Sequence, residues 1–207
     1  MTAALAAVTA SPVDAAVTFV DIIPNYNVGG IYPRFYDVDF NGDGTPEIRM
    51  DVSLLATTGF RALPASHSKV VSVPDDPGSY FAWPIYNGEV VGPVAPDSSQ
   101  WIYDTNGSGL AACVSFGSSV VCLGYFWNFT IANVGVEFTL PDGVHYGVIE
   151  VQGIYGGGNI RSYAWETDPG VPIVAGAMPE PSRAVLIFGG MLAVLSHRRR
   201  RRALGSG

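Results

Sequence analysis

Short segments in which apolar and polar residues alternate recur along the chain between positions 17 and 167. A period of two is typical of strands with one buried face, and the helical period of 3.6 is almost absent. The pairs Asp43-Gly44, Asn87-Gly88 and Asp142-Gly143 favour tight hairpin turns between such segments. The pattern predicts strands at residues 17–23, 31–40, 47–55, 68–73, 80–86, 101–103, 110–116, 120–131, 134–140, 144–152 and 160–167.

These strands predict one all-β domain at residues 16–169, built as an antiparallel β-sandwich of jelly-roll type. Aromatic residues make up 12% of the chain and charged residues only 14%. Aromatic and β-branched residues favour the pleated, half-buried surface of a sheet over a helix. Within segment 144–152, Ile149 and Val151 belong to an aliphatic face, and Glu150 belongs to the mixed opposite face.

The C-terminal part of the chain departs from this pattern. Pro179, Glu180 and Pro181 precede an apolar run, and the run leads to a cluster of five arginines, Arg198, Arg199, Arg200, Arg201 and Arg202. An apolar run beside a positive cluster is typical of a membrane helix whose arginine end stays in the cytoplasm. The predicted hydrophobic helix at 184–196 is short, about 20 Å at about 1.5 Å per residue. It crosses a core of about 30 Å only with snorkelling arginines or local thinning.

Taken in this order, the three parts resemble the PEP-CTERM sorting signal of exported Gram-negative bacterial proteins, over residues 179–202. The resemblance implies that an exosortase, an integral-membrane cysteine protease, recognises the tail and cuts near Pro-Glu-Pro. It implies transient anchoring in the inner membrane, followed by delivery to the cell surface or the extracellular space in bacteria that make exopolysaccharide. Residues 170–178 would be a linker and residues 203–207 a terminal extension.

Residues 1–15 agree with export in part. Residues 3–10 form a weak apolar stretch, and Val13 and Ala15 are small residues at the two positions that a signal peptidase reads. The basic segment that opens a signal peptide is missing. We therefore expect a truncated signal peptide cleaved after Ala15, and the alternative is a disordered leader.

The charge of the body is more negative than that of the whole chain. The formal net charge is −7 over 207 residues. Residues 16–178 contain 16 acidic and 5 basic residues, which gives a net charge of −11. Such a surface excludes nucleic acid as a partner and is compatible with cations, neutral glycans or a basic partner.

Cys113 and Cys122 are the two cysteines of the chain, and they flank a short run with Gly117 at its middle. The run predicts a hairpin, which brings two thiols on paired strands within disulfide reach. An exported protein meets an oxidising environment that preserves such a bond. We expect a Cys113–Cys122 disulfide, and the alternative is two buried free cysteines on adjacent strands.

A loop at residues 39–47 carries oxygen side chains at alternate positions, namely Asp39, Asn41, Asp43 and Glu47. Hard oxygen ligands at this spacing suit calcium, and the carbonyl of Thr45 adds one more. The loop resembles the calcium loops of FG-GAP and dockerin-like repeats, although Met50 stands where an EF-hand has its bidentate glutamate. We expect calcium as a structural clip. The alternative is a plain hairpin turn in which Asp and Asn bond their own backbone.

Residues that could carry catalysis are few. The chain has no G-x-S-x-G motif and no zinc-ligand spacing, and we expect His67 and His145 to be surface or packed histidines. Glu137 and Glu150 could form a glycosidase pair, but single solvent-facing carboxylates are commoner. The many aromatic side chains either fill the core or stack on sugars. We therefore expect a non-enzymatic cell-surface or extracellular-matrix protein. The alternative is a carbohydrate-binding or carbohydrate-cleaving protein acting on exopolysaccharide.

Overall fold

The regular elements of the described chain are all β-strands, which confirms the all-β prediction. A computed structural model describes residues 16–29, 35–53, 58–75, 79–97, 99–104, 106–116, 119–126, 130–154 and 157–176. Within these residues no helix is long and apolar enough to cross a membrane. The predicted signal peptide, the sorting tail and the helix at 184–196 lie outside them.

Fifteen strands succeed one another along the described residues, and several of them are only two or three residues long. They are β1 Val17–Gly29, β2 Phe35–Val38, β3 Ile48–Ser53, β4 Thr58–Pro64, β5 Ser68–Pro74, β6 Tyr80–Ala82, β7 Pro84–Ile85, β8 Val90–Val91, β9 Gln100–Ile102, β10 Ser108–Phe116, β11 Ser119–Leu123, β12 Ile131–Leu140, β13 Gly143–Ile154, β14 Gly157–Glu166 and β15 Ile173–Val174.

Thirteen of the strands form one large sheet, in the order β1-β14-β13-β12-β5-β6-β10-β4-β3-β2. Off this path, β11 pairs with β10, β7 with β12 and β9 with β5. The described ladders of this sheet are antiparallel except for one parallel bridge between β10 and β6, so the sheet is mixed. The sheet curls, because β1 contacts β2 and β3 while β14 contacts β4.

The inside of the curl holds the larger core, which we call the inner core. It collects buried side chains from both ends of the sheet order, including Val38, Met50 and Phe60 from one end and Ile149 and Ile160 from the other. Because side chains alternate between the two faces of a strand, each strand contributes every second residue to this core. Closing the curl is what removes these apolar faces from water.

A smaller outer core lies on the opposite face of β12, β13 and β14. The two-stranded sheet β8–β15 packs there, with Val91 and Ile173 in one cluster with Tyr146, Val148 and Ala164. Strand β13 is therefore buried on both faces, with Ile149 and Val151 in the inner core and Tyr146 and Val148 in the outer core. The predicted division of segment 144–152 into an aliphatic face and a mixed face is observed.

Several details of the strand prediction differ from the structure, among them the unpredicted strand β8. Strand β4 was not predicted, because it contains Gly59 and ends at Pro64, two residues that strands disfavour. The segment predicted as one strand at 120–131 contains the end of β11 and the start of β12, separated by a bend at Gly124 with φ of 91°. Residues 173–174, predicted to lie in a linker, form β15 against β8.

Two glycines allow close approach inside the inner core. A Cβ atom at Gly158 would overlap the ring of Phe60, a side chain that is 1% exposed. A Cβ atom at Gly153 would overlap the backbone carbonyl of Phe126. The curl can close at this end of β13 and β14 because these positions lack side chains.

The contact between Gly158 and Phe60 predicts that substitutions at these two positions are energetically coupled. Gly158→Ala should lower the free energy of unfolding by about 1–3 kcal/mol, the usual cost of overpacking a core. In the double variant with Phe60→Leu, the two losses should be less than additive, because leucine leaves room for the new methyl group. Phe138→Leu, also in the inner core but toward the other end of β14, should be additive with Gly158→Ala. Denaturant unfolding of the three single and two double variants measures these losses, and full additivity with Phe60→Leu would contradict this packing.

Candidate functional site

The acidic loop at 39–47 connects β2 to β3 and is folded around the carboxylate of Asp39. Asp39 Oδ1 accepts from the backbone amides of Gly42 at 2.7 Å and Asp43 at 3.2 Å, and Oδ2 accepts from Gly44 at 2.7 Å. Gly42 and Gly44 have φ of 74° and 89°, in the left-handed region that glycine tolerates. The carboxylate of Asp39 therefore holds the turn together through three backbone amides.

The remaining polar side chains of the loop bond within the loop. Asn41 Oδ1 accepts from the Asp43 amide at 2.9 Å, and Asn41 Nδ2 donates to Asp43 Oδ2 at 3.0 Å. Asp43 Oδ1 accepts from the Thr45 amide at 2.7 Å, which holds the pKa of Asp43 below its ordinary value. Thr45 itself is exposed.

Glu47 differs from the other acidic residues of the loop because it is buried, with 1% of its surface exposed. Its Oε2 accepts from the Phe40 amide at 2.8 Å. Burial nevertheless raises the pKa of the Glu47 carboxyl, and the nearby charges of Asp39 and Asp43 raise it further. Three carboxylates thus lie near one another, one of them desolvated.

The structure brings together the loop residues of the calcium prediction, but their oxygens accept hydrogen bonds from the loop itself. Among the residues described, no three Asp, Glu, His or Cys side chains form a group able to hold a metal ion. The arrangement shown is that of an Asx-type turn. Calcium would have to replace the bond between Asn41 and Asp43 and draw the carboxylates toward one point.

Cys113 and Cys122 are directly opposite each other in the ladder between β10 and β11. Directly opposed residues of an antiparallel pair have Cα atoms about 4.5–5.5 Å apart, which lies within the range that disulfides span. The backbone pairing thus agrees with the predicted hairpin. The sorting residues Pro179, Glu180, Pro181 and Arg198 to Arg202 lie outside the described residues.

Hydrogen bonds at both ring nitrogens hold His145 in place. His145 is fully buried, and its Nδ1 faces the Glu166 carbonyl at 3.0 Å while Nε2 faces Asp142 Oδ1 at 2.9 Å. The hydrogen bond with His145 is also what most lowers the pKa of Asp142. His145 therefore anchors the turn at Asp142, in agreement with the expectation of a packed histidine.

Glu137 and Glu150 are separated along the sheet. Glu137 lies opposite Tyr146, and Glu150 lies opposite Asn133, four positions away on β12. At about 3.3 Å per residue their backbone positions are about 13 Å apart along the strands, whereas the carboxyl groups of glycosidase pairs lie about 5–9.5 Å apart. Glu137 instead forms an ion pair with Lys69 at 2.6 Å.

The aromatic residues of the described chain mostly pack against the two cores. Trp83 and Trp101 pack against the outer core, and Tyr163 and Trp165 pack against the inner core. Tyr125 is exposed and meets the Trp83 ring edge-on, with centroids 5.1 Å apart. Most of these aromatic rings therefore lie in the two cores or at their edges.

A cavity of about 340 Å³ lies at the end of the outer core, and sequence reasoning did not predict it. Four of its lining residues form one row across four adjacent strands. Asp21 on β1 is paired with Ser162 on β14, Ser162 with Glu150 on β13, and Glu150 with Asn133 on β12. Directly paired residues point to the same face of a sheet. We call these four residues the polar row.

The polar row lies where both ladders of β14 change register. On one side, Glu150 pairs with Ser162 and Val151 pairs with Ile160, which leaves Arg161 as a bulged residue. On the other side, β1 shifts register between Asp21 and Tyr26. Pro24 lies in this shift and has no backbone N–H to donate to the ladder. Bulges of this kind re-aim side chains and often adjoin functional sites.

The sequence contains only local signs of this cavity. Glu150 interrupts the apolar positions of β13, and Pro24 interrupts those of β1. Neither signal reveals that Asp21 and Ser162, which are far apart in the chain, are paired. Comparison with protein-family models, with curated proteins and with solved structures gave no match to this chain.

Proposed function

We propose that the protein is an exported, non-enzymatic cell-surface or extracellular-matrix protein that an exosortase sorts through its C-terminal tail. The observation that carries the proposal is the sequence of the tail, which runs from Pro179-Glu180-Pro181 through the apolar run to the arginines at 198–202. Its transient partner is the inner membrane, and its final location is the cell surface or the extracellular space.

The geometry of the described body supports this proposal. Ala175 is the last buried residue of the outer core, and Gly176 after it is exposed. Pro179 follows Ala175 by four positions, so a cut at Pro-Glu-Pro would leave both cores within the released part. Processing of the tail is thus compatible with an intact body.

The curled sheet also supports the proposal that the body is a β-sandwich of jelly-roll type. Strands β1 and β14 face β2, β3 and β4 across the inner core, as two halves of a sandwich face each other. Extracellular binding and scaffold domains commonly use this architecture.

The sorting proposal predicts that processing and surface delivery depend on the arginines at 198–202. Replacing the arginines at 198–202 by glutamines should abolish processing and surface delivery in the native host, because the tail loses its cytoplasmic stop. Cell fractionation with intact-mass analysis measures both. Replacing Arg49 and Arg61, which are ion-paired on the body, is the control and should leave processing unchanged. Unchanged processing of the tail variant would overturn the sorting proposal.

Export also predicts an oxidised hairpin. Material from the native host should contain one linked peptide pair joining Cys113 and Cys122, found by non-reducing peptide mapping. Reduction should lower the free energy of unfolding by on the order of 2–3 kcal/mol, because the bond closes a loop of about ten residues in the unfolded chain. Alkylation of both thiols in the unfolded, unreduced protein would show that the hairpin carries no disulfide.

We further propose that calcium acts as a structural clip at the acidic loop. Asp39, Asn41, Asp43 and Glu47 would supply side-chain oxygens, and Thr45 its carbonyl. The raised pKa of Glu47 supports this, because the desolvated carboxylate and its acidic neighbours repel one another and a divalent cation would offset that repulsion. The role assigned to the ion is stabilisation of the turn.

Glu47→Gln tests the calcium proposal through stability. Because folding raises the pKa of Glu47 above 4.5, the folded state binds the proton more tightly, and wild-type stability without calcium should fall as pH rises from 4.5 through the folded pKa. The Glu47→Gln variant should lack this fall. Millimolar calcium should raise the melting temperature of the wild type at pH 7 and leave that of Glu47→Gln and Asp43→Ala unchanged.

The matched control for this experiment is Glu89→Gln, because Glu89 also accepts from a backbone amide in a turn, that of Tyr86 at 2.7 Å. It should respond to calcium as the wild type does. A wild-type melting temperature indifferent to both calcium and chelator would leave the loop as an ordinary turn.

A further inference from the structure

The cavity at the end of the outer core combines an apolar wall with a polar wall. Phe19, Val148 and Ala164, which are paired in the row next to the polar row, supply the apolar wall. Asn133 and Ser162 of the polar row are buried, with 3% and 8% of their surfaces exposed. Asp21, Asn87 and Gly176 are exposed, so the cavity opens to solvent. Its volume lies at the lower end of the range for small-molecule sites.

Hydrogen bonds hold the polar wall in place before any ligand arrives. Glu150 Oε2 accepts from Arg161 Nε at 3.3 Å and from the Ser162 hydroxyl at 3.2 Å. Asn133 Nδ2 donates to the Ile85 carbonyl at 3.1 Å and to Asn87 Oδ1 at 3.2 Å. Because these bonds link β12, β13, β14 and the turn at Asn87, the wall is preorganised, which lowers the cost of binding.

The charges of the cavity select against ionic ligands. Arg161 is paired with Glu150, and an anion would meet the carboxylates of Glu150 and Asp21. A cation would meet only the exposed carboxylate of Asp21, because Glu150 is already bound to the guanidinium of Arg161. A purely apolar molecule would displace water from the polar row without replacing its hydrogen bonds, which is costly. The remaining class is a small neutral molecule with several groups that both donate and accept hydrogen bonds.

A neutral sugar ring has this chemistry. Its hydroxyl groups both donate and accept, so they can donate to the Glu150 and Asp21 carboxylates and to Asn133 Oδ1, and accept from the guanidinium of Arg161. Its C–H face is apolar and matches the wall formed by Phe19 and Val148. We propose that this cavity is a binding site for one neutral sugar ring, with Asp21, Asn133, Glu150 and Arg161 as its polar contacts. The proposal does not rest on the sorting tail.

The same ring chemistry comes from a free monosaccharide or from one residue of a glycan. Saturation-transfer difference NMR on the full chain distinguishes them, with D-glucose, D-galactose and D-mannose as one set of probes and their methyl glycosides as the other. Transfer to a methyl glycoside assigns the site to a glycan residue, because the anomeric oxygen is then blocked. Transfer to the free sugars alone assigns it to a monosaccharide. Either result supports the proposal.

Variants of the polar row locate the binding. Glu150→Gln keeps the size of the side chain, and Asp21→Ala changes an exposed residue on the edge strand β1. Each should weaken sugar binding about tenfold or more, since hydrogen bonds to charged groups are the strong ones. Glu137→Gln is the matched control, because Glu137 is a glutamate of the same sheet region, paired with Lys69. It should leave sugar binding unchanged.

Three results would overturn the proposal. The first is the absence of saturation transfer to all six sugar probes at about 10 mM, a concentration above the about 1 mM dissociation constant of a weak site. The second is sugar binding that both Asp21→Ala and Glu150→Gln leave unchanged. The third is transfer to glycine or L-lysine in place of the sugars, which would assign the cavity to an amine. If Glu150→Gln does not fold, as shown by its melting curve, Asp21→Ala alone decides.

Discussion

The antiparallel register of β12, β13 and β14 is the constraint on which the described structure depends. Strand β13 is covered on both faces, and its apolar residues belong to one core or the other according to their parity. Ile149 and Val151 enter the inner core, while Tyr146 and Val148 enter the outer core. A slip of one residue would exchange the two sets. The close glycines and the small sheet β8–β15 both require this register.

The same register explains why a polar cavity can exist beside an apolar core. The ladder from Phe19 through Ala164 to Val148 is apolar, and the next row, from Asp21 through Ser162 to Glu150, is polar. The bulge at Arg161 supplies the positive charge that pairs with Glu150. Half-buried charges are retained in a sheet when they are paired and hydrogen-bonded. The polar row thus lies between the apolar row and the change of register.

The all-β class and most strand positions were predictable, because period-two alternation is a local signal. The turn at Asp39 was predictable for the same reason, since its hydrogen bonds join residues within five positions. Whether the oxygens of that turn bind calcium could not be predicted from the sequence, because calcium binding depends on side-chain orientation. Strand β4 was missed because Gly59 and Pro64 weaken its local strand signal. The cavity could not be predicted from the sequence, because it requires the long-range pairing of Asp21 with Ser162.

Native-state hydrogen exchange tests the central claim that β12, β13 and β14 join the two cores into one cooperative unit. Amides of these three strands should exchange only through global unfolding, with an opening free energy equal to that from denaturant unfolding. Amides of β8 and β15 should exchange through a smaller opening, because they pair only with each other. Exchange of β13 amides through an opening well below the global value, while β3 and β4 stay protected, would contradict the account.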